Sequence, residues 1–252
     1  MIKDVLWNKI HLTSKNELLA TCPDCQKTKL EFLKYTEVIT EEGKEMERIR
    51  YSYGIEHNFV GILKCGNQKC LRIINVSGIA QKDIEVTGRD KNNEYYEYDL
   101  DTFRPQHFSP NLRYFKIHPE IPKHIVETID LAFHHYFYDF NASANKVRTV
   151  IELILDDIKA PKKRQNSRKT KMVEINTLHD RIEHFSKRNK FIGTLMLANK
   201  YIGNEGSHKG EVEKEELLSS FDNLEEIIDK IYVKNSDKLL TKANQIISEK
   251  RR

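Results

Sequence analysis

No apolar stretch in this 252-residue chain approaches the roughly 20 residues a membrane-spanning helix needs. Runs such as 153–155 and 195–198 end almost as soon as they begin. The N-terminus, Met-Ile-Lys-Asp-Val-Leu-Trp, has neither a long apolar core nor a small-residue cleavage site. The sequence therefore predicts no signal peptide, no membrane association and a cytoplasmic location. Also missing are a glycine-rich phosphate loop, a His-Glu-x-x-His pair and a nucleophile elbow, which argues against P-loop, zincin and α/β-hydrolase chemistry. Charge of one sign is not in excess either. The formal net charge of +4 is too mild to argue nucleic-acid binding by itself. With 32% charged and 38% hydrophobic residues, the chain reads as a soluble globular protein of one large or two modest domains.

Cysteine is scarce, and its placement is informative. All four fall in two pairs, Cys22-Pro-Asp-Cys25 and Cys65-Gly-Asn-Gln-Lys-Cys70. Two thiolates separated by a Cys-Pro-x-Cys turn can share one tetrahedral ion, and Gly66 gives the second pair room to fold back on it. Residues 26–64 separate the pairs, so a β insert is expected between them. Disulfides compete with this reading, but a cytosolic address disfavours them. The expectation is one structural Zn2+ held by Cys22, Cys25, Cys65 and Cys70, with no position left open for catalysis. Neither His11 nor His57 is needed as a ligand.

Up to about residue 115 the pattern is β-rich. Asn58–Lys64, Leu71–Ser77 and Asp83–Thr87 are short runs rich in β-branched residues, and 94–98 alternates weakly as a candidate edge strand. The acidic stretches 37–47 and 90–101 read as loops or exposed edges. Pro105, Pro110, Pro119 and Pro122 then cluster, which places a domain boundary between 1–115 and 116–252.

Beyond Pro122 the period turns helical. Ile125, Ile129, Ala132, Phe133, Tyr136 and Phe137 mark a first helix, and a second from Asn141 carries Val147, Val150, Ile151, Ile154, Leu155 and Ile158. Further helices are predicted at 173–187, 191–202, 212–232 and 238–250, the last being more polar. The fold class is thus α+β, a β-rich zinc-ribbon domain followed by an α-helical bundle. Between the second and third helices, residues 159–171 hold seven basic residues and no acid. Like charges at that density repel, so a mobile loop is expected. It is either a solvated connector or a phosphate-binding arm using Lys162, Lys163, Arg164, Arg168, Lys169 and Lys171.

Three segments follow in order: Pro119–Asp130, Ala142–Leu155 with its central Arg148, and Gly203-Asn-Glu-Gly-Ser-His208. Together they resemble the domain-of-unknown-function family 4145 over about residues 119–234. Members often carry a cysteine-pair zinc ribbon upstream, occur alone or fused to type I restriction subunits, and look like relatives of the HEPN helical superfamily. That superfamily includes many metal-independent ribonucleases of toxin-antitoxin and anti-phage systems, usually dimeric. The resemblance implies a HEPN-like bundle, a homodimer formed through it, and a defence-system protein or nucleic acid (RNA or DNA) as partner.

HEPN nucleases pair an Arg with a His, four to six residues lying between them. The His moves protons at the 2′-hydroxyl and leaving oxygen, and the Arg fork meets the charge building on phosphate. Here Asn204 and His208 match the polar residue and the His, Gly203 stands in the Arg slot, and Lys200 lies one helical turn earlier. A structural account of the same turn is a left-handed cap at Gly203 with His208 packing on the next helix. Arg148 and Glu152, four apart on one helix, form an ion pair or an interface. His179, Asp180, Arg181 and His184 read as surface polar residues, with Arg181 and His184 as a second phosphate-facing pair. The aromatic belt around His134-His135 reads as core and dimer contact, with a base-stacking surface as the alternative.

Three functions remain open. The first is a zinc-containing component of a bacterial anti-phage or restriction-associated system that binds nucleic acid or protein without cleaving it. A second is a HEPN-type endoribonuclease using His208, with Lys200 or Arg181 replacing the missing Arg. The third is a protein-docking subunit of a restriction or effector complex.

Overall fold

Every second residue of strand β2 (Ile55–Cys65) from Phe59 onward is buried: Phe59, Gly61, Leu63 and Cys65. The period of two that builds a half-buried strand therefore delivers Cys65 to the inner face as its last residue. The computed structural model describes all residues except 1–3, 10, 50–53, 90–94, 166–169, 207–209, 234–245, 248 and 250–252, and only the backbone of 83–89 and 95–100. It has an N-terminal antiparallel sheet followed by C-terminal helices, an α+β chain. Two compact units are present, Met1–Lys116 with Tyr136–Tyr138, and Ile117–His135 with Asp139–Arg252.

In the first unit, β1 (Leu30–Ile39), β2, β3 (Ile73–Arg89) and β4 (Tyr95–Ser109) form an antiparallel meander in the order β1-β2-β3-β4. Leu63, Ile74, Val76, Ala80, Phe103 and Phe108 line its buried face. A one-turn helix α1 (Val5–Asn8) and a 3-10 turn (Lys15–Leu18) supply Leu6, Trp7 and Leu18 to the same core. Leu12 and Phe103 exchange both backbone hydrogen bonds, at 2.8 and 2.7 Å, covering part of the β4 edge. Rings of Tyr114, Tyr136 and Phe137 pack around Trp7 with centroids 4.9–5.3 Å away. The Tyr136 hydroxyl donates to the Trp7 carbonyl.

Two expectations for this half need correction. Pro105 continues β4: it faces Gly78 at a bulge on an edge strand, where a missing N–H breaks no ladder. Of the acidic stretch 37–47, Glu37 lies in β1 and Glu41–Arg48 forms helix α2, whose N-cap Thr40 accepts a hydrogen bond from Gly43 N. In the other stretch, 95–101 belong to β4, an edge strand of the sheet, as the edge reading of 94–98 expected.

The second unit contains α3 (Lys123–Tyr136) up to His135, α4 (Phe140–Asp157), α5 (Leu178–Ser186), α6 (Lys190–Glu205) and α7 (Lys214–Tyr232). Its core draws Ile125, Ile129 and Phe133 from α3; Val147, Val150, Ile151 and Ile154 from α4; Met196 from α6; and Leu217, Phe221, Leu224 and Ile228 from α7. Each such side chain contributes about 1.5–3 kcal/mol by leaving water. Two buried polar groups are tied in: Ser143 Oγ donates to Ala132 O at 2.7 Å, and Asn199 Nδ2 to Ser220 O at 3.1 Å. Asp139, Thr177 and Asn189 cap α4, α5 and α6 through their side chains.

The third predicted helix starts later than its apolar spacing suggested. Strands β5 (Lys163–Gln165) and β6 (Met172–Glu174) pair as a short hairpin, and Thr177 then opens α5. Most of the predicted helix 238–250 lies outside the described residues. No helix among the described residues is long and apolar enough to cross a membrane.

Candidate functional site

The β1–β2 register brings the cysteine pairs together. Leu30, at the start of β1, lies opposite Cys65 at the end of β2, so the knuckle just before β1 meets the loop just after β2. The insert between the pairs consists of β1, α2 and β2. Around the first pair the chain forms a tight hairpin, with Cys22 N donating to Thr28 O and Leu30 N to Ala20 O. Cys65 N donates to Arg72 O at 2.8 Å, closing the second loop. Arg72 Nε then meets Asp24 Oδ2 at 3.2 Å, linking one knuckle to the other.

All four Sγ atoms lie within 4.8 Å of one another, a group that can hold a metal ion. Cys22 and Cys70 Sγ lie 3.8 Å apart, and Cys25 and Cys65 Sγ 3.6 Å. A disulfide needs about 2.05 Å, and all four thiols are free. Asn67 N and Thr28 Oγ1 approach Cys65 Sγ at 3.4 and 3.2 Å. The backbone N–H at Lys27 is the main influence holding the Cys25 thiol down to about 6. Burial pushes Cys22 up to about 12, a cost that a bound cation offsets. Each pair ends on a left-handed residue, Gln26 at φ 50° and Leu71 at φ 54°, so the turns are strained at positions that favour glycine.

The second unit carries a polar groove between α4, the start of α5 and α6, lined by Arg148, Glu152, Thr177, His179, Lys200, Tyr201 and Asn204 among others. Arg148 Nη2 pairs with Glu152 Oε1 at 2.9 Å. Lys200 Nζ sits 4.1 Å from the centroid of the exposed Tyr201 ring. The His179 ring centroid is 6.0 Å from that of Tyr201. Thus Lys200 and Asn204, singled out from the sequence, line one groove with Arg148 and Glu152. His208 lies outside the described residues.

Gly203 has a different role from the left-handed cap expected of it. It is buried inside α6, which ends in Gly206 with right-handed φ. A Cβ at 203 would lie 2.5 Å from Arg148 Cβ and 2.8 Å from Ala144 O. The missing side chain lets α6 press against α4 directly where Arg148 leaves that helix.

Arg181 is likewise unsuited to replace an absent arginine. Its Nη2 donates to Leu155 O and Ala160 O, at 2.9 and 3.1 Å, and its Nη1 pairs with Asp156 at 2.6 Å. The guanidinium is committed to holding the end of α4. The basic segment is also less open than expected: Lys162 pairs with Asp156 and Lys163 with Glu174, both at 2.9 Å. Arg164 is exposed in β5 and Lys171 is exposed, whereas Arg168 and Lys169 lie outside the described residues. What the sequence reading missed is Tyr201 and the α5 N-terminus. Tyr201 is only part of the helix predicted at 191–202 and the third helix is expected to start at 173, and only the crossing of α4 and α6 makes them groove lining.

Two family models match. Residues 131–250 match a domain of unknown function (DUF4145), and residues 11–108 match a second domain of unknown function (DUF8608). The helical half therefore carries a DUF4145 domain, in agreement with the resemblance seen in its sequence. The other matched span contains both cysteine pairs and most of the meander. Comparisons with curated proteins and with solved structures gave no match.

Proposed function

We propose that this chain is a zinc-stabilised nucleic-acid-binding component of a bacterial anti-phage or restriction-associated system, with a HEPN-like helical domain that binds without cleaving. The observation that carries the binding reading is the groove, where Arg148, Lys200 and Asn204 converge beside the capped start of α5. Guanidinium, ammonium, amide and free helix N–H groups are the donors that phosphodiesters take. Zinc is supported by the sulfur spacing. A tetrahedral ion with bonds of about 2.3 Å requires sulfurs about 3.8 Å apart, and two of the Sγ pairs lie 3.8 and 3.6 Å apart. A closed four-thiolate set makes that ion structural. The defence role rests on the resemblance of the helical half.

Binding without cleavage is favoured because the fork nearest the groove, Arg148, already serves Glu152, and Lys200 offers a point charge rather than a fork. The test is direct. Purified protein should bind labelled RNA or DNA with an affinity that falls steeply as salt rises. RNA incubated in EDTA should stay intact. Cleavage that disappears in His208→Ala would replace this reading with the ribonuclease one. Affinity flat with salt would remove the phosphate contacts. Metal analysis should give about one zinc per chain, and less than about half would refute the site.

A further inference from the structure

We infer that the α4–α6 groove seats one nucleotide unit of a single strand, with Arg148 and Lys200 on its phosphate and Tyr201 under its base; this rests on the nucleic-acid-binding reading above.

Three observations carry it. First, Gly203 leaves Arg148 Cβ and Cδ directly against the α6 backbone. The arginine that the sequence lacks at position 203 is thus supplied at the same place from the neighbouring helix. Of the five N–H donors on that guanidinium, Nη2 serves Glu152, and the buried Nε has no hydrogen-bond partner among the described residues. Second, Lys200 makes no ion pair among the described residues and rests on the Tyr201 ring, a position it can leave for a phosphate at little cost. Third, Tyr201 is 53% exposed, a large ring at the edge of a polar groove with no ring or cation contact beyond Lys200 and His179 among the described residues.

The charges decide which ligand fits. Against Arg148 and Lys200 stand Glu152 and Asp180, so the lining is balanced. A free inorganic phosphate gains too little there. A nucleotide adds base stacking, worth a factor of about 5 to 150 per base by alanine substitution. Asp180 and Asn204 remain as hydrogen-bond partners for sugar or base. Stacking on one open ring requires an unpaired base, which selects single strands over duplexes.

The test uses the full-length, metal-loaded protein with a fluorescent single-stranded RNA decamer, the same sequence as DNA, a duplex, a nucleoside 5′-monophosphate and inorganic phosphate. Tyr201→Ala should weaken decamer binding at least about fivefold and Tyr201→Phe should leave it unchanged. Arg148→Met should weaken it about tenfold or more, and its circular dichroism reports whether the helices persist. Tyr201 is exposed, so its variants keep the question open to decision if Arg148→Met fails to fold. Decamer binding that survives Tyr201→Ala overturns the inference while leaving nucleic-acid binding in place. Binding of no nucleic acid by the unsubstituted protein overturns both. A mononucleotide that binds as tightly as the decamer supports the site and identifies a free nucleotide as its ligand. Duplex preferred over single strand, or inorganic phosphate binding equally well, refutes the stacking role.

Discussion

Gly203→Ala sets two physical effects against each other and is decided by sign. In an exposed helix interior, replacing Gly by Ala stabilises by about 1 kcal/mol. Here the added Cβ would lie 2.8 Å from the carbonyl oxygen of Ala144 and 2.5 Å from Arg148 Cβ. Ordinary carbon contacts fall at about 3.5–4.0 Å. Neither neighbour can rotate away, because one is main chain and the other is fixed to it. Relief requires α6 to back off from α4, loosening the packing around Val147, Ile151 and Met196, all fully buried. Overpacking of this kind costs about 1–3 kcal/mol, and a rigid main-chain obstacle puts it near the top of that range. The net expectation is a loss of about 2 kcal/mol after the helix-propensity gain. Urea unfolding followed by far-ultraviolet circular dichroism, with zinc present throughout, should show the midpoint falling by about 1 M at unchanged slope. A variant as stable as the parent, or more stable, would refute the claim that position 203 is a helix-contact site.

Leu71→Asn should raise the thermal midpoint of the zinc-loaded protein, because Leu71 holds φ 54° while 52% exposed, and Asn accepts that region. The gain is about 1 kcal/mol, and Leu71→Ala, which keeps the Cβ, should not reproduce it. Thr177→Ala should destabilise by about 1 kcal/mol by removing the cap on Asp180 N, with Thr177→Ser near the parent; equal stability of all three would show the cap to be idle. For Asp156, Lys162 first and then Arg181 hold the carboxyl below its usual range. A depressed folded value means the pairing stabilises above the unfolded pKa of about 3.9 and is lost as pH falls through the folded one. Asp156→Asn should therefore be less stable at neutral pH, with the gap closing below about pH 4, and a gap independent of pH would exclude this ion cluster as its source.

What could be read in advance followed local rules. Cys-Pro-x-Cys spacing marked the cysteines that come together, and the three- and four-residue apolar spacing of Leu217, Phe221, Leu224 and Ile228 marked α7, because both signals are carried by neighbours in sequence. The failures share a cause. Glu41–Arg48 has no apolar stripe, so α2 looked like a loop, although Thr40 caps it. Pro105 looked like a breaker because its edge position depends on which strand lies outside it. Residues 159–171 looked open because their counter-charges, Asp156 and Glu174, lie just beyond the window. Gly203 was assigned a cap from its place near a helix end, whereas its contact is with a helix some sixty positions earlier.

That last case bears on how the functional motif should be understood. An Arg followed by His at short spacing is a one-dimensional record of two groups that must meet at a phosphate. The requirement itself is spatial. A glycine in the arginine slot is usually grounds for discarding the site, since the fork is absent from that helix. In this chain the glycine lets Arg148 Cβ and Cδ lie against α6, and on the proposed reading the fork would come from α4 instead. Its chemistry is altered by the move, because Glu152 one turn later on the same helix now holds one of its nitrogens. A fork partly spent on a carboxylate can still anchor a phosphate, but it is poorly placed to follow charge that builds only in a transition state. On the nucleic-acid-binding reading proposed above, binding and cleavage would thus separate at this one ion pair.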